Sequence, residues 1–210
     1  MITVHHLNNS RSQRILWLLE ELGLDYEIVS YQRDPMTRRA PPALRAIHPL
    51  GKSPVIQDGP LTLAESGAII EYLIDTYGKG ALAPARGTAE HTRYRYWMHF
   101  AEGTAMTQLL LRLFLGFAGE SAAPIRAMVD AEIVRLLAYL ESEIADRPFF
   151  VGENLTGADI NMSFPLEGAA ARAGLDAASY PKLLAHLHKL QARPAYRRAV
   201  DRGGPYELTR

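Results

Sequence analysis

No cysteine occurs among the 210 residues. Disulfide scaffolds, thiolate metal sites, a protein thiol nucleophile and any Cys-x-x-Cys redox couple are therefore excluded, and sulfur chemistry would have to arrive with a ligand. An excess of charge of one sign is missing too: 23 Lys and Arg stand against 23 Asp and Glu. A duplex binder concentrates Lys and Arg on one face or segment to neutralise phosphates, so nucleic acid is not an expected partner. Long apolar runs are absent. The greasiest stretch, Leu109 to Ala118, is broken by Arg112 and falls short of the ~18 residues of a membrane span. The opening MITVHHLNNSRSQR lacks a basic leader followed by ~7–15 apolar residues. A cytoplasmic protein with no membrane partner is expected. What is present is 48% hydrophobic, 22% charged and 9% aromatic residues, the proportions of a soluble globular chain with room for one large domain or two small ones.

The first eighty residues alternate strand-like and helix-like pieces, the pattern of an α/β layer. Ile2–Leu7 reads as a strand, and Ile15, Leu18, Leu19 and Leu22 recur at helical spacing before Gly23, a natural stop. Tyr26–Tyr31 reads as a second strand, paired in parallel with the first. RDPMTRRAPPALRAIHPLGK has room for one short helix near Pro42–Ile47. Pro54–Ile56 and Leu61–Leu63 flank Asp58-Gly59 and predict an antiparallel hairpin, and a helix follows over Glu65–Tyr77. GKGALAPARGT, from Gly78 to Thr88, is the best linker candidate. The expected organisation is an α/β domain over 1–80, a linker at 81–88 and an all-helical domain over 89–210. In the last, Ala123–Asp146 carries an apolar stripe, a capped helix starts after Leu155-Thr156-Gly157-Ala158-Asp159-Ile160 with Pro165 expected to bend it, and another starts at Pro181 and ends at Arg193-Pro194.

Three places can carry chemistry. Ser10 lies where the first strand meets the first helix, the position at which open α/β sheets present ligand sites. Ser10-x-x-Gln13 is a capping box that needs no chemistry; the same hydroxyl, at the positive end of a helix, can instead donate to a bound thiolate. Thr62-x-x-Glu65 is likewise a capping box, while the following helix start with Ser66 could hold a carboxylate and Glu65 an ammonium group, the two charges of an amino-acid backbone. Ser53-Pro54 either starts a strand in trans or, in cis, offers the Ser53 main chain at the sheet edge to an extended peptide. His48 and Lys52 are near enough to add a cationic contact for a terminal carboxylate.

SRSQRILWLLEELGLDYEIV, IHPLGKSPVI, LAESGAIIEYL and LTGADI, in this order and spacing, resemble the cytosolic glutathione transferases along the whole chain. The chain is most similar to serine-type bacterial and fungal members of the yeast GTT branch, on RDPMTRRAPPALRAIHPLGKSPV. The resemblance implies an α/β N-terminal thioredoxin-like domain with an all-α C-terminal domain. It implies a cis bond at Ser53-Pro54, γ-glutamyl binding by Glu65 and Ser66, and a purely structural cap at Thr156 and Asp159. Tyrosine-using branches place that residue at the end of the first strand, whereas the first tyrosine here is Tyr26. Ser10 is therefore the first candidate for activating the thiol, and the side-chain amide of Asn9 the second.

The expected function is a homodimeric glutathione S-transferase that uses glutathione as co-substrate against small apolar electrophiles. The alternatives are a glutathione-dependent peroxidase or disulfide reductase, and a non-catalytic interaction protein on the same fold. After the linker, Tyr94, Trp97, Ala101 and Ala105 should form a core stripe, with His99, Gly103, Met106 and Leu110 on another face as candidate electrophile contacts. No metal site is expected: His5 and His6 point to opposite faces of a strand, and His186 and His188 are two apart on a helix.

Overall fold

The structure, a computed structural model, describes residues 1–145 and 147–209. β1 (Ile2–Leu7) is buried at every position but Thr3, as a strand covered on both faces must be. It pairs in parallel with β2 (Tyr26–Tyr31) and antiparallel with β3 (Val55–Asp58), which pairs antiparallel with β4 (Leu61–Ala64). The sheet order is β2-β1-β3-β4. Ser53 therefore precedes an interior strand and does not lie at a sheet edge, a correction to the sequence expectation: Val55 is paired with both His5 and Ala64. The same register gathers the end of β1, the start of β3 and the end of β4 at one end of the sheet.

α1 (Ser12–Leu22) connects β1 to β2, α2 (Ala43–Ile47) lies in the Pro- and Arg-rich connection, and α3 (Ser66–Tyr77) follows β4. Gly23 ends α1 at φ 64, the left-handed conformation that glycine adopts without a Cβ penalty. Ile15, Leu16, Trp17, Leu18 and Leu19 are all fully buried, more than one apolar stripe would require. The reason is α9 (Pro194–Gly203), which packs on α1. Arg193 holds both carboxylate oxygens of Glu21 at 2.6 and 2.9 Å, and Trp17 Nε1 donates to Glu21 at 2.8 Å. Arg198, Arg202 and Tyr26 donate to the neighbouring Glu20. Glu21→Ala leaves an indole and a guanidinium without their acceptor and should lower stability by about 1.5–3 kcal/mol, read from the midpoint of urea unfolding.

The chain divides into two compact units, Met1–Leu82 with Gln191–Glu207, and Ala83–Leu190 with the last residues from Leu208. The division differs from an all-helical domain over 89–210, because the segment carrying α9 belongs with the sheet. Long-range ion pairs to Glu20 and Glu21 hold it there, and apolar spacing does not reveal them.

In the second unit α4 (Ala89–Phe100), a π-helical stretch (Ala101–Met106) and α5 (Thr107–Phe117) follow one another directly. Thr88 caps α4 by accepting from His91 N. Tyr94, Trp97, Ala101 and Ala105 are buried as expected, and Trp97 stacks among Phe100, Tyr139 and Phe150. α6 (Ala123–Ile144) is the helix expected over Ala123–Asp146; Asp146 lies outside the described residues. α7 (Gly157–Arg172) runs on through Pro165, and α8 spans Pro181–Gln191. Thr156 and Asp159 form the reciprocal capping box at the start of α7. Among the described residues no helix is long and apolar enough to cross a membrane.

Candidate active site

Neither proposed capping box forms. α1 starts at Ser12 with Arg11 as its cap and no side-chain cap bond, and both polar atoms of the buried Gln13 side chain lack a partner. After Leu7 the chain turns through Asn9 at φ 50, so Ser10 Oγ accepts from Ser12 N at 3.3 Å, two residues ahead instead of three. Thr62 is a strand residue of β4, and α3 is capped by the Glu65 backbone without a side-chain bond. Both residues that competed as caps, Ser10 and Glu65, are thereby released from that task.

The Ser53-Pro54 peptide bond is cis. Pro54 is buried and leads into Val55. The Ser53 hydroxyl donates to His5 O at 2.8 Å and accepts from Leu7 N at 3.3 Å, which ties this turn to the end of β1. Its main-chain N–H and C=O take no hydrogen bond within the described residues, so they are available to an extended ligand. Ser10 Oγ lies 3.4 Å from Ser53 Oγ. Glu65 has φ 72 and ψ 118, a conformation that costs a non-glycine residue of order 1–3 kcal/mol and gathers at ligand sites. It immediately precedes Ser66, buried at the first turn of α3.

Ser10, Ser53, Pro54, Glu65 and Ser66 thus meet at one end of the sheet, with the N-termini of α1 and α3 supplying partial positive charge. α1 has no acidic residue in its first turn to cancel it. Asn9 is held from one side: its Oδ1 accepts from Glu207 N at 2.8 Å, which leaves its Nδ2 as a donor. Asn8 is structural, accepting Arg33 N on Oδ1 at 2.8 Å. His48 caps α2 and has a buried Nδ1 without a partner, and Lys52 is exposed. Both lie on the segment leading into Ser53, and no hydrogen bond or ion pair joins either to Ser10, Glu65 or Ser66.

The face proposed for the electrophile does not stay together. His99 and Gly103 are exposed and Leu110 is half-buried, whereas Met106 is only 5% exposed. The wider π turn between Ala101 and Met106 rotates the later residues away from the 3.6-residue spacing on which that face was drawn. A cavity of about 460 Å³ on α4 includes His99 beside Arg86, His91, Arg95 and Tyr96, and none of the other three.

Two residues behind the site escaped the sequence. His6 Nδ1 lies 2.8 Å from Ser12 Oγ, which lies 2.7 Å from Ser10 Oγ. Burial lowers the His6 pKa to about 4, against a main-chain hydrogen bond to Gly203 that raises it. Strand alternation puts His6 with Ile2 and Val4, opposite His5, whose ring instead meets Tyr31 and Gln57. Only that alternation hinted that the two histidines do different things.

With this geometry in hand, comparison with known proteins is specific. The family described as Glutathione S-transferase, N-terminal domain, matches residues 1–75, and the corresponding C-terminal domain family matches residues 98–194. Glutathione S-transferase 3 of Schizosaccharomyces pombe is 37% identical over 223 residues, covering 100% of this chain and 90% of that protein. A glutathione S-transferase structure from Actinobacillus pleuropneumoniae superposes with a TM-score of 0.90 at 38% identity, covering 99% of this chain and 95% of that one. A sphingomonad glutathione S-transferase complexed with glutathione gives a TM-score of 0.79 at 28% identity, with 96% and 98% covered. The chain belongs to the glutathione S-transferase family, and its four-stranded α/β domain followed by helices is the fold its sequence predicted.

Proposed function

We propose that the protein binds glutathione at the sheet end where Ser10, Ser53-Pro54 and Glu65-Ser66 converge, and transfers its thiolate to small apolar electrophiles. The convergence of two helix N-termini on the unpaired Ser53 main chain is the observation that carries this assignment. Glu65 and Ser66 take the ammonium and carboxylate of the γ-glutamyl group. The Ser53 main chain pairs with the extended tripeptide, Pro54 shapes that turn, and His48 and Lys52 meet the glycyl carboxylate.

Glutathione supplies the sulfur that this cysteine-free chain lacks. A thiol of pKa ~8.5 is about 3% ionised at pH 7. Lowering that pKa by about two pH units gives a thiolate fraction near three-quarters, a roughly 25-fold gain, and requires ~2.7 kcal/mol of preferential anion stabilisation. One charge-assisted hydrogen bond from Ser10 at ~1.5–3 kcal/mol, with a helix terminus at ~0.3–1 kcal/mol, supplies it. No side-chain base is needed, because the thiol proton can leave to water. The protein works in the cytoplasm as a homodimer; the exposed Phe114, Phe117, Ile125 and Met128 are apolar surface in keeping with a second copy.

Calorimetry with glutathione, followed by turnover of a chloronitrobenzene, tests the assignment on a sample sized by light scattering. Saturable binding, turnover and a mass of twice 23.3 kDa are expected. A protein that ignores glutathione at millimolar concentration refutes it.

A further inference from the structure

Each serine hydroxyl carries one proton, so the direction of every hydrogen bond between His6 and Ser10 can be counted. The imidazole is neutral above about pH 4. The Gly203 main chain raises its pKa and so accepts from the ring, and the space is tight: a Cβ on Gly203 would stand 3.4 Å from His6 Nε2. With the proton on Nε2, Nδ1 is a lone pair, and Ser12 Oγ at 2.8 Å must donate to it. Leu7 O, 3.5 Å from Ser12 Oγ, is too far to compete. Ser12 then has only lone pairs to offer Ser10 at 2.7 Å, so Ser10 is the donor in that contact. The Ser53 proton is committed to His5 O at 2.8 Å, and Ser53 Oγ could accept from Ser10 only at 3.4 Å.

We propose that His6, acting through Ser12, is a positioning residue that turns the Ser10 hydroxyl into the protein, so that an arriving thiol first meets an acceptor and the thiolate must win Ser10's proton from Ser12. The assignment rests on the thiol-activating role given to Ser10 above. The thiol S–H donates to Ser10 Oγ on arrival. On ionisation the S–H bond breaks, its electron pair stays on sulfur and the proton goes to water. The Ser10 hydroxyl then rotates outward to donate to the thiolate and gives up Ser12. The inward bond therefore opposes ionisation, and the bound thiol keeps a higher pKa than Ser10 alone would give it.

Ser12→Ala removes the competitor. The ultraviolet absorbance of bound thiolate followed against pH should show a thiolate-to-thiol ratio about threefold to tenfold greater at pH 7, the worth of one neutral hydrogen bond. His6→Phe, which lets Ser12 donate back to Ser10, should move the ratio the same way. In a Ser10→Ala background Ser12→Ala should change nothing, which a merely structural role for Ser12 would not produce. Nitrogen NMR of the ligand-free protein reads the tautomer directly and needs no variant to fold: His6 Nδ1 should have the shift of an unprotonated ring nitrogen. A protonated Nδ1, or a ratio that stays or falls in Ser12→Ala, overturns the proposal while leaving glutathione activation intact. Absence of any bound-thiolate signal in the unaltered protein overturns both.

Discussion

Ser10→Ala should raise the pKa of bound glutathione by about one to two pH units, the worth of one charge-assisted hydrogen bond at ~1.5–3 kcal/mol. At pH 6.5 the loss in kcat/KM should then be about fivefold to fiftyfold, and it should shrink as the pH is raised and the thiol ionises without help. The KM for glutathione should change little, because Glu65, Ser66 and the Ser53 main chain hold the parts of the tripeptide remote from sulfur. A KM effect at constant kcat would instead mean that Ser10 contributes uniform binding. An unmoved thiol pKa would pass the role to Asn9, whose Oδ1 is fixed by Glu207 N at 2.8 Å so that Nδ2 is the end left to donate. The outcome separates a hydroxyl from an amide on neighbouring residues.

Asp159→Ala should lower stability by about 3–5 kcal/mol, because three buried donors lose their acceptor together. Phe150 N, Thr156 N and Thr156 Oγ donate to this carboxylate at 2.8, 2.9 and 2.9 Å, and the side chain is completely buried. Its pH dependence carries further information. Burial raises the Asp159 pKa from 3.8 to about 6, against those hydrogen bonds, and burial lowers His186, 3.9 Å away, from 6.5 to about 4. The two have opposite signs. Asp159 contributes stability that is complete below its unfolded pKa and is lost as pH rises through about 6. His186 contributes stability that is complete above its unfolded pKa and is lost as pH falls through about 4. Each is worth about 3 kcal/mol across its window, so together they nearly cancel between pH 4 and 6.5. Asp159→Asn, which keeps one acceptor oxygen, should unmask the histidine: His6, lowered likewise to about 4, already makes the unaltered protein gain stability as pH rises through this range, and the variant should climb about twice as steeply. Urea midpoints at several pH values check it, and a variant whose climb is no steeper than the parent's would show that His186 is not buried neutral.

The sheet was legible because its strands are short and bounded by strong punctuation. Alternation fixes β1 and β2 to the residue, and Asp58-Gly59 fixes the hairpin even though β3 and β4 each extend beyond the expected triplet. Ser53-Pro54 and Glu65-Ser66 were legible as motifs. What failed was local hydrogen-bond chemistry that depends on where the backbone goes. Ser10-x-x-Gln13 and Thr62-x-x-Glu65 have the spelling of capping boxes, but a left-handed Asn9 delays one helix, and pairing with Gln57 across the hairpin takes Thr62 into a strand. The π stretch left no mark either, because nothing in the residues Ala101–Met106 distinguishes it from an ordinary helix, and its buried Ala101, Ala105 and Met106 are small or apolar residues that either pitch accommodates; the misplacement of Met106 followed. The link from His6 to Ser10 is invisible for a plainer reason: strand periodicity says which face a residue occupies and nothing about which side chain waits there.

Because residues 191–207 complete the unit that begins at Met1, a ribosome making this chain releases β1–α1–β2 long before the helix that covers α1 exists. Trp17 and its neighbours must wait, exposed or held by other means, while more than a hundred intervening residues are synthesised. The apolar back of α1 is thus the surface of the nascent chain most in need of a chaperone, and a fragment cut at the linker would carry that need permanently.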